Sequence, residues 1–447
     1  MPPRLLYTIV FIEGFCSLGA EVVALRRLVP HVGSSIVVTA PTIGFFLLAL
    51  ALGYAAGGRV AAGYTAVAGR NFLIAAALAG VGLAAVTVDA LFAHLRPAPL
   101  AYAAFIGGIL CPLAWLLGQT VPILTNLMKS RRAGEASGTA LYWSTLGSFL
   151  GSLTLSLGVM QWLGVSAAVF ACALLLGIGV VCLNGRRWRP AGAAGAAVAV
   201  AAMVNFVSPA VEETAYADYA VVPVVLGEHR NPRAFQVNSS TASLIDDSEP
   251  PRYTRYIGHL RRILLEELAF VDREILVLGA GGFTLSHREP SNRYTYVDVD
   301  PAIRGIAEQR FLGTGIRGEF VVDDARRYVA ATERRFDAVV VDVFSSHTSI
   351  PSHLVTREFW RDTRRVLKPG GVLLANLILD GRLETPYARN LLATIDSVYG
   401  RCAVEVLHKD KPLANVEVVC FATSRPAPAA AYTDEKNPAD LDLARSR

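Results

Sequence analysis

Charge is scarce in this chain. Only 18% of its 447 residues are Asp, Glu, Lys or Arg, and 53% are apolar, a balance beyond most soluble proteins. Acids are rarest in the first half, where long uncharged runs fill residues 5–208; nearly all the carboxylates lie from Glu212 onward. The net charge of +5 is therefore spread over two unlike halves and does not argue for a nucleic-acid partner. Six cysteines without a C-x-x-C pair exclude the usual metal or disulfide frameworks. Cys16, Cys111 and Cys172 fall inside apolar runs and read as small packing residues. A cleavable leader is not expected, because the first apolar run is too long for one and carries Glu13 and Glu21.

What is present in the first half is length and apolarity. Runs of the roughly 20 residues needed to cross a bilayer occur at 5–25, 35–57, 72–95, 99–127, 138–162 and 164–184, and a shorter, alanine-rich seventh at 191–208. Small residues recur along them, as in Gly147-Ser148-Phe149-Leu150-Gly151-Ser152, and small side chains let helix backbones approach closely in lipid. The N-terminus and the second, fourth and sixth connections carry nine basic residues, among them Lys129, Arg131, Arg132 and Arg186. The opposite connections carry three, Arg26, Arg27 and Arg96. This bias puts the N-terminus in the cytoplasm. Six spans then leave the C-terminal half cytoplasmic, the placement favoured here, and seven put it outside.

Glu13, Glu21 and Asp89 are the acids within the spans. A carboxylate in hydrocarbon needs a partner or a watery cavity. Glu13 and Glu21, eight residues apart, share roughly one helix face. They could line a path for an organic cation, or be structural acids, with Glu21 serving Arg26 or Arg27.

After Pro209 the pattern alternates. Runs at 219–226, 233–237 and 242–245, divided by turn-formers, predict a small antiparallel sheet. Residues 252–271 read as an amphipathic helix. Strands at 275–278, 293–299, 319–322, 336–342 and 372–378 then alternate with helices, which predicts a doubly wound parallel sheet with ligands at the strand carboxyl ends. Strand 275–278 runs into Gly279-Ala280-Gly281-Gly282, and the next strand closes on Asp298 and Asp300. Glycines let a backbone approach a nucleoside, and an acid roughly 20 residues on accepts its ribose hydroxyls. The full dinucleotide fingerprint is absent, because Thr284 stands where its third glycine would be. Asp323, Asp324 and Asp342 also fall at strand ends. Cys402 and Cys420 flank a hairpin about Lys411-Pro412; they are expected to be buried thiols, since a bond between them would imply an oxidising compartment. No metal site is expected.

These residues resemble those of the spermidine synthase (polyamine aminopropyltransferase) family over about 216–424, and the whole chain is similar to its membrane-fused members. The motifs are Val277-Leu-Gly-Ala-Gly-Gly282, Asp323-Asp324-Ala325 and Asp342-Val-Phe-Ser-Ser-His-Thr-Ser-Ile-Pro-Ser-His-Leu-Val-Thr-Arg-Glu358. The resemblance implies a multi-pass α-helical membrane bundle fused to an α/β class I methyltransferase-like Rossmann domain with a small N-terminal β-domain. The boundaries are a transmembrane domain at 1–208, the β-domain at 209–250, the Rossmann-like domain at 251–424 and a disordered tail at 425–447. It implies a transferase moving an aminopropyl group from decarboxylated S-adenosylmethionine to putrescine or a related amine, with the donor as co-substrate and no tightly bound cofactor. Gly279, Gly281, Gly282, Asp298, Asp300, Asp323 and Asp324 would hold the nucleoside, Tyr256 and His259 the amine. Asp342 matches the first acid of the family's catalytic loop. The family's base, however, is an Asp at the position of Ser345, and serine cannot deprotonate an ammonium; His347 is the candidate substitute. Partners implied are a small amine, the lipid bilayer and, compatibly, a second copy in a homo-oligomer. Two alternatives stay open: an S-adenosylmethionine-dependent methyltransferase acting on a membrane-associated acceptor, and a non-catalytic polyamine-binding or transport protein.

Overall fold

The computed structural model describes every residue except 34, 129–132, 186, 207–210, 228, 239, 344–349, 410–412, 423–431 and 447. Ser345 and His347 thus lie outside the described residues, as do the topology-setting Lys129, Arg131, Arg132 and Arg186. The chain divides into two units: Met1–Val32, Val38–Pro209 and Glu213–Ala215 form one, and Gly33–Val37, Ala210–Glu212 and Tyr216–Arg447 the other.

Among the described residues six helices are long and apolar enough to cross a membrane: Pro3–Val32, Ile36–Gly57, Tyr64–Gly82, Ala98–Thr125, Gly134–Leu163 and Val165–Asn184. The run expected as one span at 72–95 is broken. Ala84 is extended (φ −67°, ψ 143°) and a separate helix follows at Ala85–His94. Close packing explains the glycines there, since a Cβ on Gly80 would lie 2.4 Å from that of Ala201. The seventh run forms the helix Trp188–Phe206.

Helix Pro3–Val32 packs along helix Ala133–Leu153 so closely that a Cβ on Gly147 or Gly151 would sit 2.2 Å from the Phe11 carbonyl oxygen or 2.3 Å from that of Phe15. Small residues permit such contact where lipid offers no hydrophobic drive. Glu13, buried in this seam, accepts a hydrogen bond from Ser144 Oγ at 2.8 Å. Glu21 does not pair with Arg26 or Arg27, which corrects the expectation. Arg27 instead binds Glu213 at 2.6 Å, Ser166 Oγ at 2.9 Å and the Leu83 carbonyl, and Arg26 donates to the Thr214 carbonyl. Glu213 also accepts from the Ser166 amide, one of the orphan N–H groups opening helix Val165–Asn184. It is thus a stronger partner for Arg27 than an acid on Arg27's own helix.

Among the described residues the strands from Val211 onward form two sheets. Strands β1 (Val211–Glu213), β2 (Asp218–Pro223), β3 (Arg233–Val237) and β4 (Ser240–Ile245) pair in that order, with β2, β3 and β4 antiparallel. The larger sheet comprises β5 (Glu274–Leu278), β6 (Arg293–Asp298), β7 (Glu319–Val322), β8 (Phe336–Val341), β9 (Leu367–Leu379), β10 (Ala403–Val406) and β11 (Ala414–Phe421). Its order is β10-β11-β9-β8-β5-β6-β7. The pairs among β5, β6, β7, β8 and β9 are parallel, and β11 and β10 are antiparallel additions at one edge. Apolar runs such as Ile275-Leu-Val-Leu278 are buried on both faces, as a parallel sheet between helical layers requires.

Two further expectations are overturned. Cys402 and Cys420 are bonded to each other, because the β10–β11 register opposes Ala403 to Val419 and so brings the two cysteines face to face. The last residues are not wholly unstructured either. Tyr432 is fully buried and bonds Asp442, and Ala439–Arg445 is a helix tied back by Asn390. One aromatic anchor outweighs the polar, Ala- and Pro-rich composition on which a disordered tail was expected.

Candidate active site

The site is a register line across the large sheet. Leu278 pairs with Val297 on one side and Val341 on the other, so the next residues, Asp298, Gly279 and Asp342, are neighbours at three strand ends. Val341 pairs with Ala375, and Asn376 pairs with Glu417. The line therefore runs Asp298, Gly279, Asp342, Asn376, Glu417, across β6, β5, β8, β9 and β11.

Gly279 turns the chain with φ 89°, and a Cβ there would lie 2.2 Å from the Asp342 carbonyl oxygen. Gly281 has φ 49°. Ser243 of β4 latches the turn, its Oγ accepting from the Gly282 amide at 3.0 Å and lying 3.2 Å from Thr284 Oγ1. Phe283 packs into the core against Tyr296 and Phe320. Asp298 accepts the Ala280 amide on Oδ2 and the Asp300 amide on Oδ1, each at 3.0 Å. Burial raises its carboxyl above the ordinary range, against the pull of those amides.

The other predicted acids have local work. Asp300 is buried and accepts from Tyr219 Oη (2.9 Å) and the Ala302 amide (2.9 Å). Asp324 caps helix Ala325–Ala331 through the Arg327 amide, and its second oxygen lies 3.4 Å from His353 Nε2. Asp323 binds the Arg327 guanidinium.

Asp342 is partly buried. Asn376 Nδ2 donates to its Oδ1 at 2.8 Å, and Tyr256 Oη stands 3.1 Å from its Oδ2 and 2.6 Å from the Ala242 carbonyl. Burial lifts the Asp342 carboxyl to about 6 and the Tyr256 phenol well above its ordinary value. His259, one turn along the same helix (Arg255–Arg262), contacts Glu417 through Nδ1 and Glu405 through Nε2, the latter at 3.0 Å. Tyr256, His259 and Asp342 are thus brought to one face. Asn376 and Glu417 complete it and were missed; the available signal was one polar residue inside each of two apolar runs, Leu373-Leu-Ala-Asn-Leu-Ile-Leu379 and Val416-Glu-Val-Val419.

Because its pKa is raised on folding, Asp342 binds a proton more tightly in the folded chain than in the unfolded one. Stability from this group is fullest at acid pH, falls between about pH 4 and 6, and is flat above. Asp342→Asn keeps both hydrogen-bond partners without the buried charge. It is therefore expected to raise the unfolding free energy at pH 8 by about 1–3 kcal/mol, at about 1.4 kcal/mol per tenfold of proton affinity. Chemical denaturation at pH 8 and pH 4 checks this; no gain at pH 8 contradicts it.

The second unit thus carries a parallel-stranded Rossmann-like α/β domain with a glycine turn and strand-end acids, and residues 276–371 match the family model for a methyltransferase domain. The more particular likeness is to polyamine aminopropyltransferases. That of Vibrio vulnificus is 29% identical over 189 residues, covering 40% of this chain and 62% of the relative. That of Mycobacterium tuberculosis is 27% identical over 411 residues, covering 80% and 74%. A probable spermidine synthase structure from Corynebacterium glutamicum aligns with 53% of this chain and 85% of its own at 21% identity and TM-score 0.41, a likeness on which nothing below depends. The chain spans less than two thirds of the Vibrio relative's length.

Proposed function

We propose that the chain is a membrane-anchored enzyme of the aminopropyltransferase type, moving an aminopropyl group from decarboxylated S-adenosylmethionine to a small amine such as putrescine. The observation that carries this reading is the register line, in which Asp298 and Asp342 flank Gly279; the proposal gives Asp298 the ribose and Asp342 the amine. The domain boundaries at 208, 250 and 424, with 209–250 as a small β-domain, belong to the same reading.

In it, Asp298 accepts the ribose hydroxyls, the backbone of Gly279–Gly282 lies against the nucleoside, and Asp324 faces the adenine. Asp342 and Tyr256 orient the amine for in-line attack on the carbon beside the sulfonium. Holding nucleophile and electrophile in line supplies a large part of such a rate enhancement. Incubating the full chain in detergent with putrescine and either sulfonium donor tests the proposal. With decarboxylated S-adenosylmethionine the expected products are methylthioadenosine and a spermidine-mass polyamine. Methyl transfer from ordinary S-adenosylmethionine instead would favour the second reading, a methyltransferase, for which the 276–371 match speaks.

The six apolar helices support anchoring in a bilayer. The side on which the second unit lies is pulled two ways. A cytosolic donor favours the cytoplasm, whereas the Cys402–Cys420 bond favours an oxidising compartment, the outcome if helix Trp188–Phe206 also spans. A membrane-impermeant reductant and thiol label applied to sealed right-side-out vesicles decides it: labelling of Cys402 and Cys420 places the unit outside, and protection places it inside.

A further inference from the structure

The amine reaches such a site as an ammonium and must lose a proton before it can attack, yet serine occupies the position of the family's base. We propose that Glu417, held by His259, is the proton acceptor for the amine, and that His259 and Glu405 carry the proton to solvent. This rests on the reading of the site as an aminopropyltransferase.

Four observations converge on it. Glu417 stands in the register line beside Asn376, whose amide binds Asp342, so it shares the amine-facing row without belonging to the catalytic loop. Its side chain is 1% exposed, a costly place for a carboxylate with no task. One of its oxygens contacts His259 Nδ1, while the other, Oε1, is buried with no hydrogen-bond partner among the described residues. A carboxylate serving only to hold His259 has no need of that open acceptor, whereas an incoming ammonium would satisfy it. Finally, His259 Nε2 lies 3.0 Å from Glu405, which is 59% exposed, so a buried acid, an imidazole and a solvated acid stand in sequence from the site to water.

The groups facing Glu417 are His259, Glu405 from β10 and Asp342 from the end of β8, with Tyr256 beside Asp342. Burial, reinforced by the two other carboxylates and opposed by His259, raises its carboxyl to about 7, close to the working range of a general base.

The step balances without a further reactant. The substrate ammonium gives one proton to Glu417 Oε1 and becomes a neutral amine. Its lone pair forms the new C–N bond to the aminopropyl carbon. The C–S bond breaks with its electron pair passing to sulfur, so the sulfonium leaves as neutral methylthioadenosine and the product nitrogen carries the positive charge. Glu417 is reset when the neutral carboxyl turns its O–H towards His259, the Nε2–H tautomer of His259 takes the proton on its free Nδ1, and the resulting imidazolium releases its Nε2 proton to Glu405 and water.

The test compares Glu417→Gln with the wild-type full chain in detergent, using putrescine and its aminooxy analogue, whose weakly basic nitrogen is already neutral at the assay pH. With putrescine, kcat is expected to fall about 10²–10⁴-fold, the usual weight of a general base. With the aminooxy analogue it should change less than about tenfold, and the wild-type inflection near pH 7 should vanish from the pH–rate profile. Methylthioadenosine affinity should be unchanged, which separates loss of the base from loss of the donor site. His259→Gln, a milder variant, should shift the inflection without abolishing turnover, and it serves if Glu417→Gln does not fold. Equal losses with both amines, or a wild-type pH profile in both variants, would overturn the assignment while leaving the aminopropyltransferase reading intact. A wild-type chain that binds the donor and transfers to neither amine would sink both.

Discussion

Asp298→Ala is expected to weaken methylthioadenosine binding by at least a hundredfold while leaving the chain folded. An ionised carboxylate offers about four acceptor positions. Here the Ala280 and Asp300 amides take one on each oxygen, which fixes the group in place and leaves one on each for a pair of ribose hydroxyls. Hydrogen bonds to a charged group contribute about 1.5–3 kcal/mol each, so losing two costs about 3–6 kcal/mol, or roughly 10²–10⁴ in dissociation constant at 1.4 kcal/mol per tenfold. Asp298→Asn keeps one acceptor and should fall between the two. Calorimetric titration of the three proteins, each checked for an intact thermal transition, reads the result directly. Unchanged affinity in the alanine variant would remove Asp298 from the site.

Gly279→Ala is expected to be the most damaging small substitution in the second unit. The added methyl would meet the Asp342 carbonyl oxygen at 2.2 Å and its carbon at 2.8 Å, both of them backbone, on a residue with φ 89°. A non-glycine residue in a disfavoured backbone region costs on the order of 1–3 kcal/mol, and here the ends of β5 and β8 must also move apart. A loss of about 3 kcal/mol or more follows, seen as a lower midpoint in denaturant, together with loss of donor binding because the same displacement separates Asp298 from Asp342. Gly305→Ala is the matched control, with nothing within 4 Å of the new methyl and a helical backbone in which alanine is preferred by about 1 kcal/mol. Equal behaviour of the two variants would show that the turn is not held as described.

The strand ends around Gly279 were legible in the sequence because they are built from local signals. A buried apolar run, a glycine turn and an acid closing the next strand are contiguous between Glu274 and Asp300, and parallel pairing then places those ends together. The row from Asp342 to Glu417 was not legible, because it depends on register. That Asn376 lies beside Asp342, and Glu417 beside Asn376, is a property of how β9 and the antiparallel β11 slide against β8. Glu417 is 75 residues from Asp342 in the chain, and no periodicity links them. The same register brings Cys402 and Cys420 face to face, where two thiols were expected because a bond implies an oxidising compartment. Arg27 illustrates the opposite failure: a nearby acid on its own helix, Glu21, lost to the more distant Glu213, which also caps a helix through the Ser166 amide. Charge proximity along a sequence does not anticipate a partner that satisfies several donors at once.

The proposed activity requires that the rim beside Gly279 take an adenosine carrying a sulfonium. Titrating the full chain in detergent with methylthioadenosine, decarboxylated S-adenosylmethionine, S-adenosylmethionine and NAD tests this most directly. Binding of methylthioadenosine and the decarboxylated donor, weaker binding of the carboxylated one and none of NAD is the predicted order. Tightest binding of NAD, or no binding of any of the four, would contradict it.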